Sequence, residues 1–143
     1  MGKLHDEHLE HLEQDYLKRI NHPKLQIHEV KSQSENLNLE ASEVLKKLEE
    51  LSKQDKLFIV LLTEKGKLND SKNFSNWLWQ KIELQKIVFI IGGASGHGEK
   101  VIEKSDFEIS LSPLTFPHKI ARLLLVEQIY RAQTIRLKHP YHK

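Results

Sequence analysis

Apolar positions along this chain change their spacing several times, and each change predicts an element. Leu9, Leu12, Tyr16, Leu17 and Ile20 recur at helical intervals, and Asn21-His22-Pro23 ends that helix because proline cannot continue it. KLQIHEV (24–30) alternates in part and predicts a strand. A polar stretch, KSQSENLNLE, leads into a second helix with Ala41, Val44, Leu45, Leu48 and Leu51 on one face. LFIVLL (57–62) is apolar without alternation, as expected of a strand covered on both sides. TEKGKLND reads as a loop, after which Asp70 or Ser71 caps a third helix carrying Phe74, Trp77, Leu78 and Ile82. IVFII (87–91) is a second buried strand, GEKVIEK a short helix, FEISL the last strand, and 120–135 a strongly apolar last helix.

The order is a helix followed by four strand–helix steps. That order predicts an α/β fold: a mostly parallel sheet with helices on both faces. No repeat, linker or low-complexity tract divides it, so residues 1–143 are expected to form a single domain. A last helix this apolar needs cover beyond the sheet, which points to a subunit contact.

Composition narrows the class. Hydrophobic residues make up 38% and charged residues 29%, ordinary for a soluble globular protein, and there is no cysteine, which excludes disulfides and thiolate metal sites. No apolar run approaches the ~18 residues of a transmembrane helix, and the charged N-terminus has no signal-peptide core. A cytoplasmic protein without a membrane partner is expected. The net charge of +2 is unevenly spread. Lys3 stands against Asp6, Glu7, Glu10, Glu13 and Asp15 at the start, whereas Lys119, Arg122, Arg131, Arg136, Lys138 and Lys143 stand against Glu127 at the end. Either a solvated helix face or an anionic partner, phosphate above all, explains the basic end.

Ligands of open parallel sheets bind beyond the carboxyl ends of the strands, which makes the exits after Leu62, Ile91 and Leu111 candidates. In IGGASGHG, Gly92, Gly93 and Gly96 allow backbone to approach a ligand closely; the bland alternative is a tight turn. The spacing is not G-x-G-x-x-G and comes late in the chain, and Gly66-Lys67 lacks the upstream glycine of a P-loop, so nicotinamide binding and nucleotide hydrolysis are disfavoured. SPLTFP (112–117) has a proline near each end and forms either a stiff turn or a bend whose main-chain groups suit the edge of an adenine ring. His5, His8 and His11 lie among carboxylates on an exposed helix with no fixed fourth ligand, so no metal is expected. The HPYH tail beside Arg131 and Arg136 suits base stacking and phosphate contact better than metal. No nucleophile-elbow sequence is present.

IGGASGHG, LSPLTFPHKIARLLLVEQIYRAQTI and the terminal HPYHK resemble, in order and spacing, the RlmH family, the SPOUT-class methyltransferases of large-subunit ribosomal RNA. The likeness is close over 57–143 and looser over 3–30. It implies a C-terminal deep trefoil knot, which pattern reasoning alone does not suggest. It implies S-adenosylmethionine held in that knot by Leu62, Gly93, Ser112, Pro113, Leu114, Thr115, Phe116 and Pro117. It also implies a homodimer with the active site at the subunit boundary, which would cover the apolar helix. The implied reaction is methylation of N3 of a pseudouridine in helix 69 of 23S rRNA on the assembled ribosome. His118 and His142 are the implied proton acceptors, with Arg122, Arg131 and Tyr141 positioning phosphate or base; His118 as a mere helix cap is the alternative. A catalytically inactive knotted module that binds RNA or the ribosome is the competing function. An enzyme acting on transfer RNA is disfavoured because no RNA-binding domain is appended. The family opens with an apolar strand ending near Gly-Lys, where this chain has Met1-Gly2-Lys3. The resemblance therefore predicts a late start codon or a truncated chain lacking that strand.

Overall fold

The computed structural model describes residues 7–30, 36–93 and 96–143. Its elements run α1 (Glu7–Arg19), α2 (Leu37–Ser52), β1 (Leu57–Leu68), α3 (Ser71–Ile82), β2 (Lys86–Ile91), α4 (Glu99–Glu103), β3 (Phe107–Ser110) and α5 (His118–Arg136). The sheet is parallel with strand order β2-β1-β3. β1 pairs with β2 from Leu57↔Lys86 to Leu62↔Ile91, and with β3 from Val60↔Phe107.

Successive residues of β1 point to opposite faces, and both faces are covered. Val60 packs with Phe74, Leu78, Leu125, Val126 and Ile129 under α3 and α5. Leu61 packs with Ala41, Val44, Leu48 and Val101 under α2 and α4. The apolar run of β1 is thus explained by cover on both sides, as read from the sequence. Helix starts follow local chemistry: the Asn36 side chain accepts from the amides of Asn38 and Leu39, and Asp70, not Ser71, accepts from the amide of Asn73. Trp79 and Ser75 both donate to the Ala132 carbonyl, pinning α3 to α5.

Two expectations change. Segment 24–30 is not part of the ladder; among the described residues it pairs with no strand. A strand needs a neighbour's amides and carbonyls, and here a cavity of about 810 Å³ is lined by this segment and by β2. The TEKGKL loop is also shorter than expected. β1 leaves the sheet after Leu62 and rejoins it at Lys67, so that Leu62 and Lys67 both face Ile109. Gly66 makes this detour feasible, since a Cβ there would lie 2.5 Å from the Ile109 carbonyl carbon. The predicted polar stretch 31–35 lies outside the described residues, as do His5, Ala94 and Ser95.

Candidate functional site at the strand exits and the C-terminal tail

The three strand exits meet at one end of the sheet, tied by side chains to main chain. His97, in the loop after β2, lies with Nε2 3.0 Å from the Leu62 carbonyl at the β1 exit. A carbonyl only accepts, so Nε2 carries the proton. Ser110 Oγ reaches both the Glu64 carbonyl at 3.3 Å and the Ser112 carbonyl at 2.8 Å, joining the β1 detour to the β3 exit. The Glu64 carboxyl is held below its ordinary pKa by its own amide and then by the Thr115 hydroxyl. Ser112 Oγ accepts from the Leu114 amide at 3.0 Å and shapes the proline-bracketed turn.

The amides of Thr115 and Phe116 make no hydrogen bond with another backbone group among the described residues. Pro113, Leu114, Thr115 and Pro117 are exposed, whereas Leu62, Gly93, Ser112 and Phe116 are half-buried. Main-chain donors beside half-buried apolar surface suit the adenine and ribose of a nucleoside, so the residues fit the nucleoside part of the methyl donor that the resemblance implies. The glycines have structural duties as well. Gly96 has φ +82° and its amide donates to Gly93, and a Cβ on Gly92 would lie 2.7 Å from the Gly96 carbonyl oxygen. The turn alone accounts for Gly92 and Gly96.

The second group of expected residues lies at the other end of α5. The Tyr141 hydroxyl donates to Glu127 Oε1 at 3.0 Å and lies 3.3 Å from the Tyr16 hydroxyl. Arg131 donates to the same Glu127 oxygen from Nε at 3.0 Å and Nη2 at 2.6 Å. Its guanidinium also sits 4.8 Å from the Tyr141 ring centre and 3.4 Å from His142 Nδ1. Burial, then the Tyr16 and Glu127 hydrogen bonds, push the Tyr141 phenol far above its ordinary pKa, so it stays protonated and serves as a donor. Glu127 was visible in the sequence only as the lone acid of a basic stretch; its i,i+4 spacing to Arg131 was the overlooked signal.

His118 and Arg122 lie elsewhere. His118 opens α5 directly after the exit turn, and burial first, then the nearby cations Lys119 and Arg122, lower its pKa. The thirteen residues from His118 to Arg131 put about 20 Å of helix between them. The Arg131 and Tyr141 side chains meet at Glu127, nine residues or about 14 Å of helix from His118. Arg122 is engaged in a strut: Nε and Nη2 both reach Glu13 at 2.6 Å, and Nη1 reaches Glu29 at 2.8 Å. This ties α5 to α1 and to segment 24–30, a structural task for a residue expected to face substrate. Arg136 pairs with Glu83 and covers the Trp79 ring at 4.3 Å. Carboxylates from earlier in the chain thus meet Arg122 and Arg136 at the basic C-terminal end. Among the described residues no cluster of three or more His, Asp or Glu is placed to hold a metal, and no helix is long and apolar enough to cross a membrane.

Comparison with known proteins identifies the fold's lineage. A family model described as "Predicted SPOUT methyltransferase" matches residues 1–142. A protein of Prochlorococcus marinus strain NATL1A is 40% identical over 143 residues, covering 100% of this chain and 92% of the relative. One from Carboxydothermus hydrogenoformans is 38% identical over 152 residues, covering 100% and 96%. One from Christiangramia forsetii is 36% identical over 148 residues, covering 99% and 94%. All three carry the name "Ribosomal RNA large subunit methyltransferase H". With nearly the whole chain matched and the strand exits gathered at one end of a parallel sheet, this protein belongs to the SPOUT methyltransferase family.

Proposed function

We propose that this protein methylates large-subunit ribosomal RNA, with S-adenosylmethionine as donor and N3 of a pseudouridine in helix 69 as acceptor, on the assembled ribosome in the cytoplasm. The observation that carries the reading is the joining of the Leu62, His97 and Ser112–Pro117 exits at one end of the sheet, in a chain of this family. Leu62, Gly93 and the 112–117 turn would hold the donor, the amides of Thr115 and Phe116, which have no backbone partner among the described residues, offering main-chain hydrogen bonds. We also assign the chain the trefoil knot of its family. S-adenosylmethionine supplies a methyl group already made electrophilic by the sulfonium, so the residues need to position N3 and take its proton.

His118, beside the exit turn and kept neutral by burial and adjacent cations, suits the role of acceptor for the N3 proton. Arg131, Tyr141 and His142 form a cationic, aromatic cluster suited to a phosphate and a stacked base. About 14 Å of α5 separates Glu127, where Arg131 and Tyr141 meet, from His118, which favours a homodimer in which one subunit's tail completes the partner's exit pocket.

The test combines calorimetry with S-adenosylmethionine and mass spectrometry of rRNA from a strain lacking the gene. Saturable binding together with loss of one methyl group from 23S rRNA, restored on complementation, is expected. RNA retention with no cofactor binding would support the inactive module instead. A monomer with full activity would overturn the shared site.

A further inference from the structure

The detour of β1 between Leu62 and Lys67 carries two cations that the fold itself does not use. Elsewhere the strong cations are engaged: Arg122 with Glu13 and Glu29, Arg131 with Glu127, Arg136 with Glu83 and Lys86 with Asp55. Lys65 and Lys67 are exposed, and among the described residues no carboxylate lies within ion-pair distance of either ammonium. The acids closest to them along the strands have other partners. Glu64 is held by its own amide and by the Thr115 hydroxyl. Glu108 accepts from the Thr63 hydroxyl at 3.1 Å, and Asp70 accepts from the Asn73 amide at 2.7 Å and from its side chain at 3.0 Å.

Local geometry aims both lysines outward. A Cβ on Gly66 would lie 2.5 Å from the Ile109 carbonyl carbon and 2.8 Å from that of Glu108, so position 66 faces β3. Side chains alternate along extended chain, which turns positions 65 and 67 away from β3 and toward solvent. Two extended residues place them about 7 Å apart. Two long, flexible side chains at that separation can reach neighbouring phosphates of one strand.

The detour has a cost that a straight strand avoids. The backbone of β1 leaves its ladder with β3 after Leu62 and resumes at Lys67 on the same Ile109. Groups taken off a ladder need other partners, and the Glu64 carbonyl takes the Ser110 hydroxyl at 3.3 Å. Together with the contact from Glu64 to Thr115, that bond seats the detour against the 112–117 turn. Extra residues in a strand beside a binding site commonly re-aim side chains, and here they set two unpaired cations on the rim of the strand exits. Gly66-Lys67, which lacks the rest of a P-loop, thus has a different use.

We propose that Lys65 and Lys67 on the β1 detour grip the backbone of the substrate RNA, as contacts to neighbouring phosphates beside the exit pocket. This rests on the reading that the exits hold the methyl donor and receive an RNA base. Phosphate contacts of this kind fix where the strand lies and carry no sequence information.

The experiment measures binding to 70S ribosomes over a salt series for the unaltered protein, for Lys65→Gln with Lys67→Gln, and for Lys53→Gln with Lys56→Gln. The last pair removes the same charge at the opposite end of the sheet, ahead of β1. The 65/67 variant is expected to lose about 1.4–1.8 from the slope of log K against log salt, and to bind about tenfold more weakly at 0.15 M salt. S-adenosylmethionine binding by calorimetry is expected to stay unchanged, which shows that the pocket is intact. Lys65→p-benzoylphenylalanine is expected to cross-link to 23S rRNA on irradiation. An unchanged slope in the 65/67 variant, an equal loss in the 53/56 variant, or cross-linking to ribosomal protein alone overturns the proposal while leaving the methyltransferase reading in place. An unaltered protein that binds no ribosome at any salt defeats that reading, and this surface with it.

Discussion

Replacing Glu13 by glutamine tests whether Arg122 is a strut or an RNA contact. The Glu13 side chain is 3% exposed and that of Arg122 is 18% exposed, so the pair is largely shielded from water. Removing one partner of a buried ion pair costs about 3–5 kcal/mol, mainly from the stranded charge. Here Nη1 keeps Glu29, itself 37% exposed, which places the loss near the lower bound, about 2–3 kcal/mol. For a domain of this length that corresponds to a fall in Tm of about 8–12 °C. Glu13→Leu combined with Arg122→Met removes both charges together and is expected to cost much less than the sum of the single changes, because no charge is left alone. Denaturant midpoints for the two singles and the double give the coupling, and RNA binding over a salt series gives the second readout. A strut predicts lost stability in Glu13→Gln with the salt slope of RNA binding unchanged once folded protein is matched. A loss below about 0.5 kcal/mol in Glu13→Gln, with Arg122→Met flattening the salt slope at full stability, would refute the strut.

Further tests follow from the same geometry. Glu127→Gln takes the shared carboxylate from Arg131 and Tyr141; methyl transfer is expected to fall about 10–100-fold with cofactor binding by calorimetry unchanged. Gly66→Ala pushes a methyl group against the Ile109 backbone and is expected to cost about 1–3 kcal/mol, read from the denaturant midpoint. His118 has a folded pKa below its unfolded value, so the unfolded chain binds the extra proton first. Stability is therefore expected to fall as pH drops through about 6.5, and His118→Gln to flatten that dependence in melts from pH 8 to 5. Spectrophotometric titration of the folded protein is expected to show Tyr141 still protonated above pH 10, with Tyr141→Phe leaving the alkaline absorbance change below pH 11 unaltered.

Legibility in the sequence followed the range of the interactions. Helical spacing from Leu9 to Ile20 and the double-sided apolar runs at 57–62 and 87–91 are local patterns, and each became the element it indicated. The exits at Leu62, Ile91 and Leu111 were legible because parallel strands always deliver their loops to one end of the sheet. The β1 detour was not, since it depends on Gly66 lying against Ile109 more than forty residues later. Nor was the pairing of Arg122 with Glu13, 109 positions apart, which clasps α5 to α1. The alternation in 24–30 predicted a strand, yet pattern alone does not make one. Leu25 reaches one core cluster and Val30 the other, while the segment between them lines the cavity it shares with β2. Segment 24–30 thus has the side-chain partners of a sheet strand, while among the described residues its backbone pairs with no strand.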